Sequence, residues 1–139
     1  MLSTDVAIIG SGFAGSLMAL LLTRLGRTCV VVDRQSHPRF AIGESSTPLA
    51  DMALRDIAKK YDLPRLVPMT KYGTWREAYP QVMRGLKRGF SYFDHEPHQP
   101  FVPRADHANE LLVAASTEDA NSDTHWLRSD VDAFFAIEA

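Results

Sequence analysis

The chain has 139 residues, a formal net charge of −2 and 45% hydrophobic residues. That suits one domain with an ordinary apolar core, and it argues against a polyanion-binding protein, because the only basic pairs are Lys59-Lys60 and Lys87-Arg88. A single cysteine cannot form an internal disulfide, no basic segment precedes Asp5 as in a signal peptide, and the run from 17 to 22 is too short to span a membrane.

The chain opens on an apolar strand pattern, Val6-Ala7-Ile8-Ile9, that runs into Gly10-Ser11-Gly12-Phe13-Ala14-Gly15. A helix pattern over 16–25 follows and Gly26 stops it. A second β-branched strand, 28–32, ends on Asp33. This is a strand–turn–helix–strand unit carrying a G-x-G-x-x-G fingerprint. Gly10 permits the tight turn, Gly12 lets the backbone approach a pyrophosphate, and Gly15 lets helix and strand pack closely. The first helical turn, with Phe13 and Ala14, presents backbone N–H groups and the positive end of the helix dipole to phosphate. Asp33 follows Gly10 by about the ~20 positions expected of the acid that accepts ribose hydroxyls, with Arg34 beside it. The unit therefore reads as a dinucleotide site, and Cys29 as a buried, inert, reduced thiol.

Residues 34–46 read as a loop. Thr47-Pro48 predicts a helix start, and Leu49, Met52, Ala53, Ile57 and Ala58 predict its apolar face up to about Tyr61. Residues 63–68 are a proline-bounded connector. A strand is expected around 72–75, and an aromatic strand over 89–93. Residues 94–103 read as a loop, 105–116 as a helix, 121–124 as a turn, and 128–139 as a helix. The fold class is α/β: a Rossmann-like FAD/NAD(P)-binding fold, incomplete, because two parallel strands make a poor sheet.

Residues 42–48, Ile-Gly-Glu-Ser-Ser-Thr-Pro, contain G-E-S-x-x-P some ten residues after Asp33. This resembles the flavin-dependent halogenases, the tryptophan halogenase-like group of FAD monooxygenases. Residues 122–132 look like that group's R-x-x-(F/V)-D helix, and 87–93, Lys-Arg-Gly-Phe-Ser-Tyr-Phe, like the segment holding its lysine. The resemblance covers essentially the whole chain, as the N-terminal portion of a larger enzyme, and the chain alone is expected to be inactive. It implies FAD as cofactor, with Gly10, Gly12, Phe13, Ala14, Gly15, Asp33, Arg34, Glu44, Ser45 and Arg128 as its contacts. It implies a partial FAD-binding domain divided into a nucleotide-binding unit over 1–61, the start of an inserted substrate-domain region over 62–127, and a returning helix over 128–139. Lys87 would be catalytic, directing hypohalous acid, formed from halide and a flavin hydroperoxide, at an electron-rich organic substrate. Lys71, before Tyr72-Gly73, is its rival. The implied partners are a flavin reductase and a small-molecule substrate, free or carrier-bound, in the cytoplasm, with no nucleic acid and no membrane.

Other readings of the same residues stay open. Hydroxylation, reduction as in geranylgeranyl reductase-like proteins, or a truncated non-catalytic nucleotide-binding module would suit the same fingerprint. Lys87 could be a surface lysine and Glu44 a solvated loop carboxylate. Arg128 could pair with Asp130 or Asp132. Trp75 and Trp126 read as core before they read as a stacking platform. Gly43-Glu44-Ser45-Ser46-Thr47 lacks the last glycine and the strand of a nucleophile elbow, and Pro97 breaks the geometry that would align His95 and His98 on a metal.

Overall fold

A computed structural model of the chain describes residues 3–114 and 116–139. Strand β1, Val6–Ile9, and strand β2, Cys29–Val32, lie parallel, with Val6 opposite Cys29 and Ile9 opposite Val32. Helix α1, Phe13–Arg24, makes the crossover between them. The turn into α1 depends on Gly10, whose φ of +104° is closed to ordinary side chains. It depends also on Gly15, where a Cβ would stand 2.0 Å from the Gly10 carbonyl oxygen. Cys29 is free and half-buried rather than fully enclosed.

Helix α2, Pro48–Lys60, begins where its cap predicts: the Thr47 hydroxyl accepts from the Ala50 N–H at 3.2 Å. Its buried face is only partly the expected one: Ala58 is buried and Ile57 half-buried as the spacing predicts. Leu49 and Met52 are 75% and 51% exposed, whereas Asp51, Leu54 and Ala58 turn inward. An i, i+3, i+7 stripe that starts on a carboxylate is hidden from hydrophobic periodicity, and the Ser46 hydroxyl donates to that carboxylate on the inward face.

The stretch 63–71 becomes a 3-10 helix, Pro64–Thr70, and the expected strand around 72–75 is helical: α3 spans Tyr72–Ala78. Trp75, 0% exposed, decides that region, because α3 puts its indole against the core with its N–H on the Val82 carbonyl. Strand β3, Arg84–Lys87, pairs antiparallel with β6, Asp123–Trp126, so the turn expected over 121–124 runs into a strand instead. Strand β4, Gly89–Phe93, is as expected. Its partner β5, Glu110–Ala114, replaces part of the helix expected over 105–116, and Ala115 lies outside the described residues. The ladder offered by β4 outweighs the weak helical preference of that stretch. Helix α4, Arg128–Glu138, closes the description and packs on α1.

The core gathers Leu54, Leu66, Met69, Trp75, Trp126, Val131, Phe134 and Phe135 under the inner face of α1. Phe135 is fully buried and meets Phe13 and Trp126 as ring pairs at 6.4 and 6.5 Å. Trp75 and Trp126 are therefore core residues, as their burial requires. Phe135→Ala should lower stability by about 3–5 kcal/mol in a denaturant titration of the full-length protein. Gly15→Ala should cost at least ~2 kcal/mol, since the atom it meets is backbone and cannot swing aside.

Candidate functional site

Helix α1 starts with no side-chain cap and no acid in its own first turn. Its Phe13 N–H donates instead across the fold, to Asp132 Oδ1 of α4 at 3.2 Å. Asp132 is completely buried and takes Arg128 in a two-point pair, Nε to Oδ1 at 2.9 Å and Nη2 to Oδ2 at 3.0 Å. Asp130, the other partner considered for Arg128, accepts from the Met83 N–H instead. The Arg128 guanidinium also lies 4.7 Å over the Phe13 ring and donates to the carbonyls of Ile42 and Gly43.

A Cβ built on Gly12 would meet Asp132, Arg128 and Arg39 at 3.5, 3.8 and 3.8 Å. So Gly12 is a point of backbone without a side chain at a helix N-terminus, beside the Asp132 carboxylate and two guanidinium groups. The Phe13 N–H is taken by Asp132, and both guanidinium groups are paired with acids, so what remains for a diphosphate is the positive dipole end, the other N–H groups of the first turn and the outer donors of Arg39 and Arg128, met where Gly12 has no side chain. Phe13 turns its ring into the core, and Ala14 is exposed on the first turn of α1. Arg39 was not singled out in the sequence. It lies outside the fingerprint spacing, and only the fold brings it to Gly12.

Asp33 ends β2 beside the turn. Its Oδ2 accepts from the Ser11 N–H at 2.7 Å, the Ser11 hydroxyl at 2.9 Å and Arg39 at 3.0 Å, while its Oδ1 accepts from the Gln35 N–H at 3.0 Å. The backbone N–H of Ser11, then that of Gln35, then the Ser11 hydroxyl hold this carboxyl well below the usual carboxylate range. It stays an ionised acceptor, and Oδ1, with one donor, has capacity for a hydroxyl. Arg34 is exposed and lines the same shallow cleft as Gly10, Asp33 and Arg39.

The G-E-S segment lies along the free edge of β6. The Ser46 N–H donates to the Thr124 carbonyl at 3.2 Å, the Trp126 N–H donates to the Glu44 carbonyl, and Ser45 bridges to His125. Glu44 keeps its side chain exposed and contributes backbone. Below the segment stands Lys87 at the end of β3, only 6% exposed, so it is not a surface lysine. Its ammonium donates to the Ser45 hydroxyl at 2.7 Å and to the Ser46 carbonyl, and it sits 4.5 Å from the Phe90 ring centre. Lys71, by contrast, reaches the exposed Asn121 amide at 2.7 Å.

Two acids near Lys87 went unread in the sequence. Asp51 (3% exposed) accepts from the Ser46 hydroxyl at 3.2 Å, and Asp123 (6%) stands beside it. Burial first, and the neighbouring Asp123 charge second, raise Asp51 to about 7. No motif marks either residue, because they meet only once α2 and β6 are packed.

The family described as FAD binding domain matches residues 3–41, which contain the whole fingerprint and Asp33. Monodechloroaminopyrrolnitrin halogenase PrnC of Pseudomonas fluorescens is 36% identical over 132 residues, 94% of this chain and 22% of that protein. The crystal structure of halogenase PltM in complex with phloroglucinol and FAD superposes with a TM-score of 0.76 at 30% identity, over 97% of this chain and 26% of that one. The chain is related to the flavin-dependent halogenases. A 1H-pyrrole-2-carbonyl-[peptidyl-carrier protein] brominase of Pseudoalteromonas luteoviolacea is 44% identical over a shorter stretch, 40% of this chain and 14% of that protein. The chain thus spans about a fifth to a quarter of the length of PrnC and PltM. Its fold is part of the Rossmann-like FAD-binding fold of these halogenases, and FAD is the cofactor of that fold.

Gly12→Ala separates binding from folding. The protein has room for the methyl group, so stability should fall by no more than about 1 kcal/mol, the usual loss at a helix cap. FAD affinity of the full-length protein, followed by flavin fluorescence, should weaken at least about tenfold, because the methyl group occupies the approach of the diphosphate.

Proposed function

We propose that the full-length protein is an FAD-dependent halogenase acting on an electron-rich organic substrate, and that Lys87 directs the halogen. The observation that carries this reading is the setting of Lys87: buried, at the end of a paired strand, and clamped by the G-E-S segment. An ammonium has three donors. Ser45 and Ser46 take two, which leaves one N–H for a ligand.

Reduced FAD, when bound, supplies the activation of dioxygen that turns halide into an electrophilic halogen. The remaining N–H of Lys87 then donates to the oxygen of hypohalous acid and weakens the oxygen–halogen bond. The ring carbon takes the halogen, the O–X electron pair leaves on oxygen as hydroxide, and the ring proton completes water. Holding Lys87 at two points keeps that donor in one place, which favours attack at one ring position.

Gly10, Gly12, Phe13, Ala14 and Gly15, with Arg34 and Arg128, are assigned to the diphosphate end of FAD, and Asp33 to the ribose. Glu44 and Ser45 are assigned to the flavin side. In domain terms 1–61 with 128–139 serve the nucleotide and 62–127 opens the substrate side. A separate flavin reductase supplies reduced FAD. The likeness to a brominase named for a carrier-bound pyrrole supports a carrier-bound substrate as one option, and the enzyme is assigned to the cytoplasm. No helix among the described residues is long and apolar enough to cross a membrane.

The test uses full-length protein with reduced flavin, halide and an electron-rich aromatic. Lys87→Ala should retain FAD and consume oxygen, yet lose halogenated product by at least about a hundredfold in mass spectrometry. Lys71→Ala, whose target is a surface amide, should stay within about twofold. Hydroxylated product from the parent would replace this reading with monooxygenation.

A further inference from the structure

Asp51, Asp123, Ser46 and Lys87 converge where α2, β3 and β6 meet, apart from the dinucleotide cradle. Lys87 and Asp123 are directly opposite in the antiparallel register, so their side chains leave the same face of the ribbon. Asp51 enters from the first turn of α2 and shares the Ser46 hydroxyl. The Ser46 carbonyl and the Ser45 hydroxyl in turn hold the lysine.

One feature of this cluster is unexplained if both acids are ionised. Asp51 Oδ1 and Asp123 Oδ2 are buried, and neither has a hydrogen-bond partner among the described residues. The Ser46 hydroxyl cannot relieve them, because its one proton already serves the Thr124 carbonyl at 2.9 Å and Asp51 Oδ2 at 3.2 Å. Two adjacent buried carboxylates, each short of a donor, are costly. One proton held between them removes a charge and supplies the missing donor. The charged groups that act on Asp51 are Asp123 from β6, which favours that proton, and Lys87 from β3, which opposes it more weakly.

We propose that Asp51 and Asp123 form a carboxyl pair sharing one proton, a positioning pair that keeps Lys87 on the G-E-S segment and sets the pH response of halogen transfer. This rests on the reading of Lys87 as the halogen-directing residue. With the proton in place the pair carries one negative charge against one positive charge. Once it is lost, the pair is doubly negative and draws the ammonium away from Ser45 and Ser46. Halogen transfer therefore falls as pH rises through about 7, where burial and Asp123 place the Asp51 titration, while flavin oxidation, which does not use Lys87, does not follow it.

The experiment has two arms on full-length, FAD-loaded protein. In the first, infrared difference spectra across pH follow the carboxylic-acid C=O band. The parent should lose one protonated carboxyl through about pH 7, and Asp51→Asn should lack that transition. In the second, halogenated product per oxidised flavin is compared at about pH 6 and about pH 8. From the lower to the higher pH the parent's product per oxidised flavin should drop at least about threefold, whereas in Asp51→Asn, whose pair cannot become doubly negative, it should be the same at both pH values, whatever its level. No protonated carboxyl in the parent at about pH 6, or the same pH drop in Asp51→Asn, overturns the proposal. If Asp51→Asn fails to fold, the parent's infrared titration decides. A parent that shows the carboxyl transition but makes no halogenated product supports the shared proton and overturns the role given to Lys87.

Discussion

A carboxylate with no access to water, Asp132, ties this structure together. Burying such a charge is tolerable only if it is fully paired. Asp132 meets that condition with the Phe13 N–H, both donors of the Arg128 fork and, at 4.0 Å, Arg39. Each partner comes from a different element: the start of α1, the start of α4 and the loop after β2. One side chain therefore fixes the last helix described against the first. It also satisfies an N–H at the uncapped end of α1 while leaving the Gly12 backbone bare. Loss of any one partner would leave charge exposed to apolar surroundings, so the three elements hold their relative positions together.

Asp33 solves a related problem in a different setting. It is less buried, and its partners are the Ser11 N–H and hydroxyl of the turn it faces, the Gln35 N–H and Arg39. Those bonds favour the ionised form and fix the exit of β1 against the exit of β2. Arg39 touches both acids, Asp33 at 3.0 Å and Asp132 at 4.0 Å. The end of β2 and helix α4 are thus linked through one guanidinium.

The legible parts of the fold were those whose signal is local. The fingerprint needs a positive φ at Gly10 and no Cβ at Gly15, and both demands are visible as glycine in a short span. The start of α2 was legible because a threonine cap and a proline at the first turn act within one turn of helix. The failures share a cause. The face of α2 was misread in part because Asp51 points inward, to Ser46 of the preceding loop and beside Asp123 of β6. The stretches 72–75 and 105–116 were misread because burial of Trp75 against Trp126 and pairing with β4 decided them, and neither contact is local. At the site, Gly12, Asp33, Lys87 and Arg128 carry motif spacing and could be named, whereas Arg39, Asp51, Asp123 and Asp132 act through contacts that only the fold creates.

Those non-local residues also explain how two regions become one site. Arg128 spends two donors on Asp132 and a third nitrogen on the carbonyls of Ile42 and Gly43. Glu44 and Ser46 follow at once and are hydrogen-bonded along β6, and Ser45 and Ser46 hold Lys87. A continuous path of charged and backbone hydrogen bonds thus runs from the helix end at Gly12 to the ammonium of Lys87. The positive φ of Gly43, +94°, lets the chain turn beside the Arg128 guanidinium, 3.4 Å from where its Cβ would stand. The Arg128 fork thus ties the helix end at Gly12 to the segment that clamps Lys87, so the two regions hold their places together.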